Sequence, residues 1–182
     1  VSAIKLKVLI SGAGIAGPCL AFWLAKTRLD TSIMIVERSP TPRVTGQSID
    51  IRGPAIEIIK KMKPEEAIHS GGTTEEGTTF LNFSGMIFAQ FDADESFTAE
   101  YEILKADLAG LFLEATEGLG NVQYIYGNSI KGLEQTDRDI HVTFASGLKD
   151  TFDLVAADGS TSKTRSMILD EQVLKDSYNF LG

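Results

Sequence analysis

Gly12, Gly14 and Gly17 stand at Gly-x-Gly-x-x-Gly spacing, and an acid, Glu37, follows 20 residues after the last of them. Glycines so spaced let a backbone turn tightly and approach a pyrophosphate closely. A helix opening at such a turn adds free N–H groups and the positive end of its dipole, both of which favour phosphate oxygens. An acid placed as Glu37 is suited to accept hydrogen bonds from ribose hydroxyls. The chemistry on offer is capture of a dinucleotide. By itself the spacing also describes a glycine-rich turn in an ordinary α/β domain, with Glu37 a solvated charge.

The surrounding elements give the glycines their weight. Residues 4–10 read as a strand that turns continuously apolar, as in a buried parallel sheet. A helix is expected from the glycines to about Lys26, and a second strand at Thr31–Val36, ending at Glu37-Arg38. Strand, helix and strand together occupy about 33 residues, the length of a βαβ crossover. A loop with Pro40, Pro42, Arg43 and Gly46 follows, then a short strand at 47–51 and a helix opened by Gly53-Pro54 with Ile56, Ile59 and Met62 on its apolar face. Residues 78–84 and 86–91 predict a hairpin about Ser84-Gly85. Apolar residues at 104, 108, 111, 112 and 115 predict a helix over Glu102–Glu117. Strands are expected at Val122–Tyr126, Ser129–Gln135, Ile140–Phe144 and Thr151–Ala156, with turns at 137–139 and Ser146-Gly147.

Other chemistries find little support. The one cysteine, Cys19, lies in an apolar run and reads as buried packing, so no disulfide within the chain is possible and a disulfide reductase is disfavoured. His69 and His141 are far apart without a Cys or His partner at ligand spacing, which argues against zinc. The net charge of -8 argues against nucleic acid or an anionic membrane as partner. The first apolar run, residues 8–10, is too short for a signal segment or a membrane span, and a cytoplasmic protein is expected.

From about residue 5 to 181 the chain resembles the FAD-dependent monooxygenases of the p-hydroxybenzoate hydroxylase class, tetracycline-inactivating enzymes and fungal polyketide or salicylate hydroxylases among them. Four segments carry the likeness. The first is Gly12-Ala13-Gly14-Ile15-Ala16-Gly17-Pro18 with Glu37-Arg38. The second runs from Arg43 through Gly46-Gln47-Ser48-Ile49-Asp50-Ile51-Arg52-Gly53; in the family this loop lies along the flavin, which points to Arg43 and Asp50 as cofactor contacts and to Arg43 as a contact for the nicotinamide reductant. The plainer reading makes Arg43 and Arg52 solvated loop charges. The third segment is Glu102–Leu108, where the family usually has Arg in place of Lys105. Lysine keeps the charge for a pyrophosphate but loses the bidentate fork, so Lys105 is either a point-charge contact or a surface lysine. The fourth is Asp153–Gly159 with Ser160, Ser162 and Arg165, similar to the family's second cofactor fingerprint, with Ala156 where a glycine is usual. It points to Asp158; the plainer reading is an Asp-Gly turn after a strand.

The resemblance implies an α/β fold: a Rossmann-like FAD-binding βαβ domain with a β-meander, plus the first strands of a substrate-domain sheet. Residues 1–71 and 99–182 would form the FAD-binding domain, and 72–98 a hairpin of the substrate domain. It implies FAD as cofactor, NADH or NADPH as reductant, and hydroxylation of an aromatic, polyketide or similar organic substrate by oxygen through a flavin hydroperoxide. The chain would then be the N-terminal part of a longer enzyme, and no catalytic residue is named in it. Three alternatives stay open on the residues: a flavin-dependent dehydrogenase or reductase, an NAD-dependent Rossmann dehydrogenase, and a non-catalytic flavin-binding or interaction module.

Overall fold

The structure is a computed structural model that describes residues 6–27, 29–62, 68, 77–92, 101–137 and 139–177, with the backbone alone for 154–156 and 176–177. His69 and the terminal residues 178–182 lie outside the described residues. In chain order the elements are β1 (Leu6–Ser11), α1 (Ala16–Ala25), β2 (Thr31–Glu37), β3 (Ser48–Ile51), α2 (Pro54–Met62), β4 (Gly77–Leu81), β5 (Ile87–Asp92) and β6 (Tyr101–Leu104). They continue with α3 (Lys105–Glu117), β7 (Val122–Tyr126), β8 (Ile130–Gln135), β9 (Ile140–Phe144), β10 (Lys149–Ala156), α4 (Lys163–Ile168) and α5 (Glu171–Ser177). The chain forms two compact units, Val1–Arg43 with Phe112–Gly182, and Val44–Leu111.

The first unit holds a six-stranded sheet in the order β7-β2-β1-β10-β9-β8. β1 pairs in parallel with β2 and β10, and β2 with β7. The meander β8-β9-β10 is antiparallel. β10 belongs to both parts: Lys149–Phe152 pair with β9, and Asp153–Ala156 with β1. This is the Rossmann-like βαβ unit with a β-meander that the sequence predicts.

The apolar run in β1 has a direct cause. Val8 and Ile10 point to one face, where they pack with Ala21, Ile33 and Ile35 and against Leu20 and Leu24 of α1. Leu9 points to the other, against Val36, Ile130, Val142, Phe144 and Phe152. A strand covered on both faces loses the apolar–polar alternation. Each such side chain contributes about 1.5–3 kcal/mol when fully buried. Near the β7 edge the Thr116 hydroxyl lies 2.6 Å from that of Tyr124, and burial pushes the Tyr124 phenol up to about 12.

In the second unit β3 and β6 pair antiparallel, Ser48 opposite Leu104 and Ile51 opposite Tyr101. This corrects one expectation: the helix predicted over Glu102–Glu117 begins only at Lys105, and Glu102–Leu104 are strand. Tyr101 and Ile103 are buried, with Glu102 and Leu104 more exposed, a period of two set by pairing with β3. Long-range pairing here overrides the local helical spacing. The expected hairpin is present as β4 and β5. Its turn is held by Asn82, whose Oδ1 accepts N–H bonds from Ser84 and Met86 at 2.9 and 3.0 Å, and Gly85 takes a φ of 76°. Phe83, Met86, Ile87 and Phe88 of this hairpin are exposed.

Candidate dinucleotide site

The three fingerprint glycines do three different jobs. Gly12, directly after β1, has a φ of 109°, and a Cβ there would lie 2.6 Å from the Ala157 carbonyl oxygen and 2.9 Å from Asp158 Cα. Gly12 must therefore be glycine for the fold. A Cβ on Gly17 would collide with the Gly12 carbonyl oxygen and lie 3.3 Å from Ile10 Cγ2, so its absence lets α1 settle on the turn. Gly14 differs: a Cβ there would meet no described atom within 4 Å. The fold does not need a glycine at 14.

The start of α1 is equally open. Among the described residues no side chain caps it at Ile15, and its first turn carries no acid. The first N–H groups of an α-helix have no acceptor within the helix. Those of Ala16 and Gly17 thus stand at the positive end of the dipole beside the open face of Gly14. Pro18, third in the helix, has no N–H to satisfy and is tolerated there.

Glu37, the last residue of β2, closes this turn. Its Oε2 accepts the Ala13 N–H at 3.0 Å and its Oε1 the Ser39 N–H at 2.9 Å. Each oxygen keeps a further lone pair, so the carboxylate can both order the loops and accept from a ligand hydroxyl. The loop beyond it is fastened to the end of β7: Gly127 N–H donates to Ser39 O at 2.8 Å and Asn128 N–H to Glu37 O at 3.1 Å. Tyr126, in register with Glu37 on β7, was not legible in the sequence as part of this neighbourhood. Its phenol is pushed up by burial and then by the Glu117 and Glu37 carboxylates. Arg38 and Arg43 are exposed.

The second fingerprint is laid beside the first by β10, and the Ala157 N–H donates to Ser11 O at 2.8 Å. Asp158 Oδ1 accepts from the Ser162 hydroxyl at 2.5 Å, and Oδ2 from the Thr164 N–H at 3.2 Å and the Thr164 hydroxyl at 3.0 Å. Burial works against ionisation of this carboxyl, but the bonds from Ser162 and Thr164 outweigh it and hold its pKa below the usual carboxylate value. Ser162 caps α4 by accepting the Arg165 N–H at 2.9 Å. Asp158, Gly159, Ser162, Arg165, Ile168 and Leu169 line an open cleft of about 280 Å³. Thr164 and Ser11, both buried, are partners that sequence reasoning missed; the only local signal is a serine cap three residues before Arg165.

Asp50 and Lys105 belong to the second unit. The Asp50 carboxylate is engaged by Arg52 at 2.7 Å. Lys105 is exposed, and its N–H donates to Gln47 O at 2.9 Å. A Cβ on Gly46 would come within 3.0 Å of Lys105 Cβ, so this glycine permits a close approach.

Comparison with known proteins decides the family. A profile described as FAD binding domain matches residues 5–176. The chain belongs to the FAD binding domain family. A flavin-dependent monooxygenase of Phoma sp, eupH, is 38% identical over 176 residues, covering 91% of this chain and 40% of that protein. An FAD-dependent monooxygenase of Sarocladium schorii, asL4, is 37% identical over 173 residues, covering 91% of this chain and 39% of that protein. The crystal structure of tetracycline destructase Tet(51) superposes with a TM-score of 0.77 at 32% identity, covering 93% of this chain and 42% of that one. The chain thus spans about 40% of the length of the curated relatives it matches. The family's cofactor is FAD, and the residues present fit its adenosine diphosphate half. An open Gly14, an uncapped helix start and an acid with spare lone pairs are what a pyrophosphate and a ribose require. Among the described residues no helix is long and apolar enough to cross a membrane.

Proposed function

We propose that this FAD binding domain serves an NAD(P)H-consuming monooxygenase that inserts one oxygen atom of O₂ into an aromatic, polyketide or similar organic substrate. The observation that carries the binding role is the pairing of Gly14, whose missing side chain nothing in the fold demands, with an uncapped α1. The names of the relatives support the monooxygenase reading. When bound, FAD supplies two-electron redox chemistry and the activation of oxygen.

The chain's own residues bind and orient. The N–H groups of Ile15, Ala16 and Gly17 offer hydrogen bonds to the pyrophosphate, and Gly12, Gly14 and Gly17 let it approach. Glu37 accepts from the adenosine ribose, with Arg38 beside it. Asp158 holds the second turn against the first. The resemblance alone proposes Arg43, Asp50, Lys105 and Asp158 as further cofactor contacts, and assigns residues 72–98 to a substrate domain between FAD-binding segments 1–71 and 99–182. The single cysteine fits a reducing, cytoplasmic setting.

The visible spectrum of the purified chain, before and after denaturation, counts bound flavin; about one FAD per chain is expected. Glu37→Ala should weaken FAD binding by about 1–3 kcal/mol, the scale of leaving a polar partner unsatisfied. Unchanged affinity would remove Glu37 from the site. Oxygen-18 from O₂ should appear in the product, and hydride transfer without incorporation would replace the monooxygenase with a dehydrogenase.

A further inference from the structure

The last residue of β1, Ser11, and the second residue of α4, Thr164, lie 153 positions apart in sequence, yet their hydroxyl oxygens are 3.0 Å apart. Both are buried, Thr164 at 2% and Ser11 at 7% exposure. The Thr164 hydroxyl is also 3.0 Å from Asp158 Oδ2. One hydroxyl carries one proton, and an ionised carboxylate can only accept. The Thr164 hydroxyl is the donor toward both Ser11 Oγ and Asp158 Oδ2, so its one proton is shared between the two acceptors. The result is a hydroxyl bridge at Thr164 that joins Ser11, beside the first fingerprint, to Asp158 of the second. Ser11 immediately precedes Gly12, the residue whose backbone must sit against Ala157 and Asp158.

We infer that Ser11 and Thr164 form a hydroxyl latch that fixes the pyrophosphate-facing turn at Gly12–Gly14, and that Thr164 is a positioning residue for FAD. Thr164 touches no cofactor in this scheme. It acts by holding the backbone that does, so that the N–H groups of the turn and of α1 are aligned before the ligand arrives. The inference rests on the FAD-binding reading for its effect on affinity, but not for the latch itself.

The test uses Thr164→Val, which keeps the shape and removes the hydroxyl, Thr164→Ser, which keeps the hydroxyl, Ser11→Ala, and the Ser11→Ala/Thr164→Val pair. FAD titration by calorimetry gives the affinity, and amide hydrogen exchange without cofactor gives the order of the turn. Thr164→Val and Ser11→Ala should each weaken FAD binding about tenfold, the scale of one lost buried hydrogen bond. Thr164→Ser should stay within about twofold of the parent, and the pair should be no weaker than Thr164→Val, since both changes break one link. The Gly12 and Ala13 amides should exchange faster in Thr164→Val, while that of Ile35 in the sheet should not. Parental affinity in Thr164→Val, a Thr164→Ser variant as weak as Thr164→Val, or losses that add in the pair would each overturn the latch. If Thr164→Val does not fold, Ser11→Ala decides by the same measures. If the parent chain takes up no FAD, the proposed function fails separately, and the latch stands on faster exchange in Thr164→Val restored by Thr164→Ser, or falls on unchanged exchange.

Discussion

The two fingerprint turns sit side by side at the ends of β1 and β10, but they are built on opposite principles. The Gly12–Gly17 turn owes its shape to side chains that are missing. The turn from Asp158 to Arg165 owes its shape to side chains that are present and hydrogen-bonded, with Asp158 receiving bonds from Ser162 and Thr164. The first leaves backbone donors free for a ligand; the second uses its polar groups to order itself and, through Thr164, to reach Ser11. Residues at the first turn are thus suited to touch the cofactor, and those at the second to hold the first in place.

The sharpest break of this contrast is Gly17→Ala. Its Cβ would meet the Gly12 carbonyl, and a backbone atom cannot swing aside as a side-chain tip can. We expect a loss of about 3 kcal/mol in denaturant unfolding together with loss of FAD binding. A variant as stable as the parent would mean that α1 can ride higher on the turn.

Asp158→Asn comes next. It keeps the shape but loses the charge behind the Ser162 and Thr164 bonds, and should cost about 1.5 kcal/mol at pH 7. Because the folded carboxyl titrates below its unfolded value, its contribution is complete above the unfolded pKa of about 3.9 and is lost as the pH falls through the lower, folded one. The gap between parent and Asp158→Asn should therefore close in acid. A gap that persists at pH 2 would show that the charge is not what holds the turn.

Gly14→Ala should have the smallest effect on the fold and still be felt by the ligand. Stability should change by less than about 0.5 kcal/mol, since the new methyl group meets no described atom. FAD affinity should fall about tenfold as the methyl enters the space left for the pyrophosphate. If affinity and stability both hold, the pyrophosphate does not pass over Gly14.

How far the sequence could be read follows from the same contrast. A glycine fingerprint is a local pattern with fixed spacing, flanked by a strand and a helix whose apolar periodicity is also local, so β1, α1, β2 and Glu37 could be named from the sequence. The meander at 130–156 was legible too, because alternating residues and turn signals lie close together. The strand at Tyr101–Leu104 was not, because its partner β3 is about 50 residues away and only that pairing sets its period.

What the sequence by itself determined is the glycine turn, the strand–helix–strand unit that carries it, and the acid at the end of the second strand. All depend on neighbours along the chain. What only the tertiary structure decided is which polar groups face one another: Ser11 with Thr164, Glu37 with the N–H groups of Ala13 and Ser39, and Asp50 with Arg52. A hydroxyl or carboxylate can bond in many directions. Its partner is chosen by whatever the folded backbone brings within about 3 Å, and no spacing in the sequence records that choice.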